Sequence, residues 1–545
     1  MKKIILPLFI INISLFAQTV YVPLWNDVYD FLDRQSLRQN IKLDDEVKPY
    51  SRKYIASLLL ELNSKKDKLN TVEQKELEFY KQEYAYELRD PSPRPAARDG
   101  LRMTEERWYL FSYSDSLFSL KLSPIAGYGI STTGSNSGHQ RWIGVSTFGT
   151  YSDWFGASFD IRDKGEFGDN VDKNKQFTPQ TGAWTKSAKN GIEYSDVKGS
   201  ITYDWGWGNV GLIKDYFTWG HGRFGQLIFS EKPPSYPHIR LNLKPVEWLR
   251  FYYFHGWLNS QVIDSSRTII ENPGTISAIE KETYINKYVA ANLLTVTPLD
   301  WLDVSIGNSF VYSGDLRAEM FIPFMFFKFL DHNTGQGSVN DGNGTLYFDV
   351  SVKYPETFQF YSSVFVDVTE IRNVLEEDFS NTWVGYTFGG KKVDLFLQNL
   401  DLIIEYTRIN PWVYEHKYQT TNYKHINFVL GHWLGQNSDQ IRVQLNYRLL
   451  RGLKFKFYFE RLRRGGMEEI YYAYGGKDEK DLNFLYAPLR EDKVFGFSFR
   501  FEYIHDLVLE GDYKYSSISD GDELRTPSFL LGKNHSFGLT LYYGM

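Results

Sequence analysis

Val494-Phe495-Gly496-Phe497-Ser498-Phe499-Arg500-Phe501-Glu502-Tyr503 puts an aromatic ring at every second position, with small or charged residues between. Successive side chains of a β-strand point to opposite faces, so the segment has one oily and one polar face. The same period of two runs through Phe155 to Arg162 and Val197 to Trp205, and through Phe537, Leu539, Leu541 and Tyr543. It extends over most of the chain from about residue 107 onward.

Alternation also occurs in soluble β-sandwiches, so the lengths of the connections decide between the two. Short turns read at Thr150 to Asp153, Gly206-Trp207, Pro245 to Glu247, Pro298 to Asp300, Tyr354 to Glu356, Gly389 to Lys392, Leu450 to Gly452 and Ile504 to Asp506. Between them come long polar stretches such as 163–196, 258–286, 313–344, 410–440 and 464–493, with 131–140 first and 518–535 last. Tight turns at one end and long loops at the other are the asymmetry of outer-membrane barrels. With 410–440 taken as one loop, although Ile426 to Leu430 looks strand-like, the count predicts about 18 antiparallel strands and both termini in the periplasm. A propeller would show a repeat of blades, and no such period is present. In hydrocarbon every backbone N–H and C=O needs a partner, so a sheet with outward oily residues must close on itself.

The first residues, Met1-Lys2-Lys3, an apolar run from Ile4 to Phe16, and Ala17-Gln18, read as a signal peptide cut after Ala17. Residues 18–90 read as a periplasmic helical segment. One helix starts near Asn26, a second near Ser51 with a stripe of Ile55, Leu58, Leu59 and Leu62, and a third at Thr71-Val72-Glu73-Gln74 in capping-box form. Pro91, Pro93 and Pro95 make 91–106 a linker, and 107–545 is the predicted barrel.

The 545 residues are 17% aromatic, and no later run reaches the 18 apolar residues of a spanning helix. The nearest, Phe321 to Leu330, is short and broken by Pro323 and Lys328. The net charge of −6, more negative once Lys2 and Lys3 are removed, argues against a nucleic-acid partner. The absence of cysteine removes disulfides, thiolate metal sites and a cysteine nucleophile.

Several stretches resemble the capsule-assembly (Wzi-type) outer-membrane protein family. They are Val28-Tyr29-Asp30-Phe31-Leu32, Lys48-Pro49-Tyr50-Ser51-Arg52, Trp219-Gly220-His221-Gly222 through Ser230, Pro237-His238-Ile239-Arg240, Glu405 to Pro411, and Leu430-Gly431-His432-Trp433-Leu434-Gly435. The resemblance implies an 18-stranded barrel over a periplasmic helical bundle. It further implies a non-catalytic outer-membrane lectin that helps retain or assemble capsular polysaccharide.

Other motifs point to less. Gly220-His221-Gly222-Arg223-Phe224-Gly225 matches a dinucleotide fingerprint but opens no helix, since Pro233-Pro234 follows soon after. Asn340-Asp341-Gly342-Asn343-Gly344 has the flavour of a calcium loop, but Val352 stands where an EF-hand needs glutamate. The ten histidines show no clustered ligand spacing, and no nucleophile elbow accompanies a triad. No catalytic residue, metal or cofactor is therefore expected. Porin and barrel hydrolase remain the alternative readings.

Sugar rings stack on aromatic faces. The aromatic-rich outer stretches therefore make Trp219, His221, Arg223, Trp412, Tyr414, His416, Tyr471, Tyr472 and Tyr474 the expected polysaccharide contacts. Arg461 and Arg463, at the outer end of a strand, are expected to meet lipopolysaccharide phosphates. The expected partners are thus surface polysaccharide and outer-membrane lipid, with a monomer favoured.

Overall fold

The computed structural model describes residues 20–88, 107–152, 154–274, 276, 279–327, 342–367, 383–467 and 483–544. Eighteen long strands form the wall. They are β1 (Phe118–Thr133), β2 (Asn136–Tyr151), β3 (Phe155–Gly168), β4 (Gly191–Asp204), β5 (Gly208–Asp215) and β6 (Tyr236–Val246). Next come β7 (Leu249–Ile263), β8 (Tyr284–Leu299), β9 (Leu302–Ser313), β10 (Asn343–Val352), β11 (Phe358–Asp367) and β12 (Val384–Lys392). Last are β13 (Leu400–Ile409), β14 (Ser438–Leu450), β15 (Leu453–Arg464), β16 (Arg490–Ile504), β17 (Leu507–Asp520) and β18 (Gly532–Tyr543). Each pairs antiparallel with its neighbours, and β18 returns to β1 from Ser536 opposite Thr133 to Tyr543 opposite Ala126. The ring is closed, so no edge is left to face lipid.

Facing follows the period of two. On β16, Arg500 reaches inward to Asp27, while Phe495 and Tyr503, on the opposite face, are more than half exposed on the outer wall. Trp154, Trp207, Trp248, Trp301 and Tyr354 ring the short-turn end as an interfacial girdle. A lysine at outward Phe499 is expected to destabilise the barrel by about 2–4 kcal/mol near mid-bilayer, and a lysine at inward Ser498 to change little. Urea unfolding in vesicles, followed by the gel shift of the folded form, measures both.

Two details depart from the turn reading, and a third bears it out. Gly389 to Lys392 continues β12, and its turn falls at 393–399. The first connection at the end opposite the short turns is the two-residue turn Gly134-Ser135, with Gly134 at φ 57°, where a long loop is expected. Loop 410–437 is a single connection, and its strand-like piece is a small hairpin, Lys424–His425 with Phe428–Val429, separate from the wall. Strand parity is therefore preserved.

The N-terminal part folds as three helices, α1 (Val28–Leu37), α2 (Arg52–Ser64) and α3 (Thr71–Glu83), packed through Phe31, Leu32, Ile55, Leu59, Leu62, Leu77 and Tyr80. Ser51 caps α2 by accepting the Tyr54 N–H at 3.1 Å. The capping box of α3 sits one residue earlier than the sequence suggests. Asn70 is the cap, and the Glu73 carboxylate accepts the Asn70 N–H at 2.9 Å. Asparagine, which accepts from both Val72 and Glu73, outcompetes the adjacent threonine for the cap.

Candidate functional site

Lysines and arginines on the inner wall meet a row of carboxylates on the N-terminal segment. Lys391 reaches Asp33 at 2.5 Å, Lys353 reaches Asp45 at 2.8 Å, and Asp27 takes Arg500 at 2.7 Å and Lys454 at 3.2 Å. Arg250 of β7 is 1% exposed and donates to Glu46 (2.5 Å), Asp44 (3.0 Å), Asp303 (2.8 Å) and Thr297 (3.0 Å). In the opposite sense, Arg34 of α1 pairs with Asp394 and Asp401 of the barrel and with Glu73 of α3. Burial alone would raise the pKa of Asp33, but Arg223 and Lys391 overcome it and hold the carboxyl well below its usual range. The segment is thus a plug docked in the barrel mouth by buried ion pairs.

The second occupant of the lumen comes from the other end. Loop 216–235 descends inside the wall, and its Thr218–Trp219 pairs antiparallel with Val47–Lys48 of the plug. Gly220 N–H then donates to Glu46 O at 2.8 Å. Loop 410–437 packs against the first. Tyr414 and Tyr423 hydroxyls donate to the carbonyls of Leu227 (2.7 Å) and Ile228 (2.8 Å), and Trp433 Nε1 donates to Phe224 O at 2.8 Å. Trp219, Phe229, Phe254, Tyr347, Phe365, Tyr414, Tyr423 and Leu430 form a core at 0–1% exposure. A wall of 18 strands could enclose water; this one encloses a hydrophobic core.

That packing explains the glycine motif. Gly220 sits at φ 104°, and a Cβ there would lie 3.3 Å from Asp349. A Cβ at Gly225 would overlap the His432 ring at 2.4 Å. The glycines let two loops and the wall approach one another.

His221 lies where plug, loop and wall meet. Its Nδ1 pairs with Asp349 of β10, and its Nε2 lies 3.1 Å from Asp45 of the plug. Burial works to lower the pKa of this ring, but Asp349 and Asp45 outweigh it and raise it to about 10. Burial would raise Asp45, yet Lys353 and His221 push it well below its usual value. Arg223 donates to Asp33 (2.7 Å) and Gln359 (2.6 Å), while the backbone N–H groups of Arg223 and Phe224 donate to Glu405.

The residues picked as sugar contacts therefore separate. Trp219 and Tyr414 have 0%, His221 3% and Trp412 8% exposure, so a sugar ring has no free face to stack on at any of them. Arg223 is held by Asp33. His416 stays half-exposed, accepting or donating at Thr421 Oγ1 (2.6 Å), beside the exposed Lys417 and Tyr418. Tyr471, Tyr472 and Tyr474 lie outside the described residues, as do Asn340 and Asp341. Trp184, half-exposed on the connection 169–190 at the long-loop end, is an aromatic that sequence reading passed over. It stands alone in a polar stretch, and only its exposure distinguishes it. Arg461 and Arg463 lie on the outward face near the C-terminal, long-loop end of β15, bridged to Glu491 at 2.6 Å and Asp439 at 2.5 Å.

A closed, 18-stranded wall with an oily outer belt, stoppered from both ends, defines a transmembrane β-barrel of the outer-membrane type. Residues 163–526 match the family model described as capsule assembly protein Wzi, and the chain belongs to that family. Among solved structures it is similar to Wzi of Escherichia coli, an outer membrane protein involved in group 1 capsule assembly and described as a carbohydrate-binding β-barrel. That likeness has 12% identity, covers 97% of this chain and 100% of the other, and gives a TM-score of 0.56. Acinetobacter baumannii OccAB1 (11% identity, 78% and 95% covered, TM-score 0.41) and Pseudomonas aeruginosa OprD (9%, 79% and 96%, 0.38) share only a general barrel outline. No curated protein sequence matches the chain.

Proposed function

We propose that this protein is a non-conducting, non-catalytic barrel that binds capsular polysaccharide at its outer loops and helps assemble the capsule at the cell surface. The filled lumen carries this reading. A diffusion pore needs a continuous water path, whereas here the plug and two loops meet across the interior through the Val47–Trp219 pairing. Membership of the capsule-assembly family and the carbohydrate-binding description of the Escherichia coli barrel supply the ligand class. The platform assigned to the sugar consists of the exposed Trp184, Lys417 and Tyr418 with the half-exposed His416; Tyr471, Tyr472 and Tyr474, outside the described residues, are assigned from the sequence alone. Arg461 and Arg463 are assigned to lipopolysaccharide phosphates, which would compete with Glu491 and Asp439.

Two measurements test this. Full-length protein in planar bilayers is expected to pass no steady current; large ohmic steps would return the protein to the porin class. On immobilised capsular polysaccharide from the producing cell, Trp184→Ala with Tyr418→Ala is expected to weaken binding about tenfold or more, roughly 1.4 kcal/mol. Unchanged binding by the double variant would refute this platform.

A further inference from the structure

The outer wall of β7–β9 carries polar residues where lipid-facing side chains should be apolar. Arg250, Tyr252 and Phe254 point inward to Glu46 and the luminal core, so Phe251, Tyr253 and His255 point outward. By the same alternation Asn292 of β8 and Asn308 of β9 are outward, since Ala291, Leu293 and Val311 lie in the luminal core. Yet His255 is 0%, Tyr253 3%, Asn308 4% and Asn292 7% exposed.

What covers them is the chain that follows β9. After Ser313 it doubles back along the outside of the barrel through Ala318–Phe321 and on to Phe327. Its backbone is held by the outward polar side chains. Tyr253 OH donates to Met320 O at 2.7 Å, and Asn292 Nδ2 donates to the carbonyls of Pro323 (2.9 Å) and Met325 (2.8 Å). Phe327 N–H donates to Asn308 Oδ1 at 2.7 Å, and Asn308 in turn donates to Asn292 at 2.6 Å. Phe321 stacks on His255 with ring centres 4.4 Å apart, and Phe324 stacks on Phe251 at 4.5 Å.

The depth of this segment follows from position along the strand. Phe251 lies three residues above Trp248 of the girdle, which immediately precedes the same strand. At about 3.3 Å per residue that is roughly 10 Å along the strand, and about 7–8 Å in height at the usual tilt. The apolar belt of such a barrel is about 25 Å tall, so Phe324, stacked on Phe251, sits inside it. There the outer side of the segment shows Ile322 (48% exposed), Phe324 (69%) and Phe326 (38%), continuous with exposed Leu294, Val304 and Ile306 of the wall.

We propose that Ala318–Phe327 is a membrane-embedded flap whose outer face binds the acyl chains of the bilayer, although it belongs to an outer connection. Irregular backbone survives at that depth only when its polar groups are met, and the outward asparagines and tyrosine meet them. The flap in turn keeps Asn292, Asn308 and His255 out of hydrocarbon, where unpaired polar groups are costly.

The chain has no cysteine, so single cysteines can be placed freely. Nitroxide labels at Phe324→Cys and, separately, Ile322→Cys, in phosphatidylethanolamine–phosphatidylglycerol vesicles, are compared with Leu541→Cys on the wall and Leu524→Cys on an outer connection. The expected result is oxygen accessibility like that at Leu541→Cys and loss of the nickel-chelate accessibility seen at Leu524→Cys. Nickel accessibility at both flap positions would overturn the proposal. So would shielding from both reagents, because it would place another protein, or a second copy of this chain, on the flap.

Discussion

Arg250→Met is expected to loosen the N-terminal plug more than any other single change in the wall. The side chain is 1% exposed and serves Glu46, Asp44 and Asp303 together. Methionine keeps the bulk but leaves Glu46 buried without its cation, and Asp303 with only Lys353 at 4.0 Å. Breaking a buried pair in this way costs about 3–5 kcal/mol, chiefly because of the stranded charge. Hydrogen exchange is therefore expected to rise across Val20 to Glu87 while the barrel strands stay protected. The partner variant sharpens the test. Glu46→Met added to Arg250→Met removes one stranded carboxylate, so the double variant should be less damaged than the summed singles. Exchange in the plug unchanged by Arg250→Met would mean that the ion pairs do not hold it.

The second large effect is alkaline release at His221. The folded ring titrates near 10 against an ordinary 6.5, so it binds its proton more tightly in the docked state. Its contribution is complete below about pH 6.5 and is lost as pH rises towards 10. The groups facing it are Asp45 of the plug, itself held by Lys353, and Asp349 of β10, which also accepts from Ser363. Raising the pH from 6.5 to 10 should therefore weaken plug docking, read as faster proteolysis of the N-terminal segment. His221→Gln should dock more weakly at pH 6.5 and lose most of that pH dependence. A wild-type profile that is flat over this range, or one His221→Gln leaves intact, would exclude the His221 switch.

The stretches that resemble the capsule-assembly family turn out to be the interior scaffold. Trp219 to Ser230, Glu405 to Pro411 and Leu430 to Gly435 contact one another inside the lumen. Their sequences are constrained because plug, loops and wall must fit at close range.

The barrel was legible in the order of residues alone. A period of two, eight short turns and outward aromatics are local properties of neighbouring residues, and lipid leaves closure as the only outcome for them. The helices of the plug were legible too, through Ser51 and the apolar stripe of α2. The contents of the lumen were not. Trp219, Trp412 and Tyr414 read as surface aromatics because a loop's sequence does not state whether it folds outward or inward. That choice rests on partners far away in the sequence, such as Leu227 for Tyr414, 187 residues off, and Val47 for Trp219. The flap after β9 is a similar case: Phe321 to Phe327 reads only as a broken apolar run. Its place in the bilayer depends on Asn292 and Asn308 lying on the same outer face, and strand register, not sequence order, brings them together.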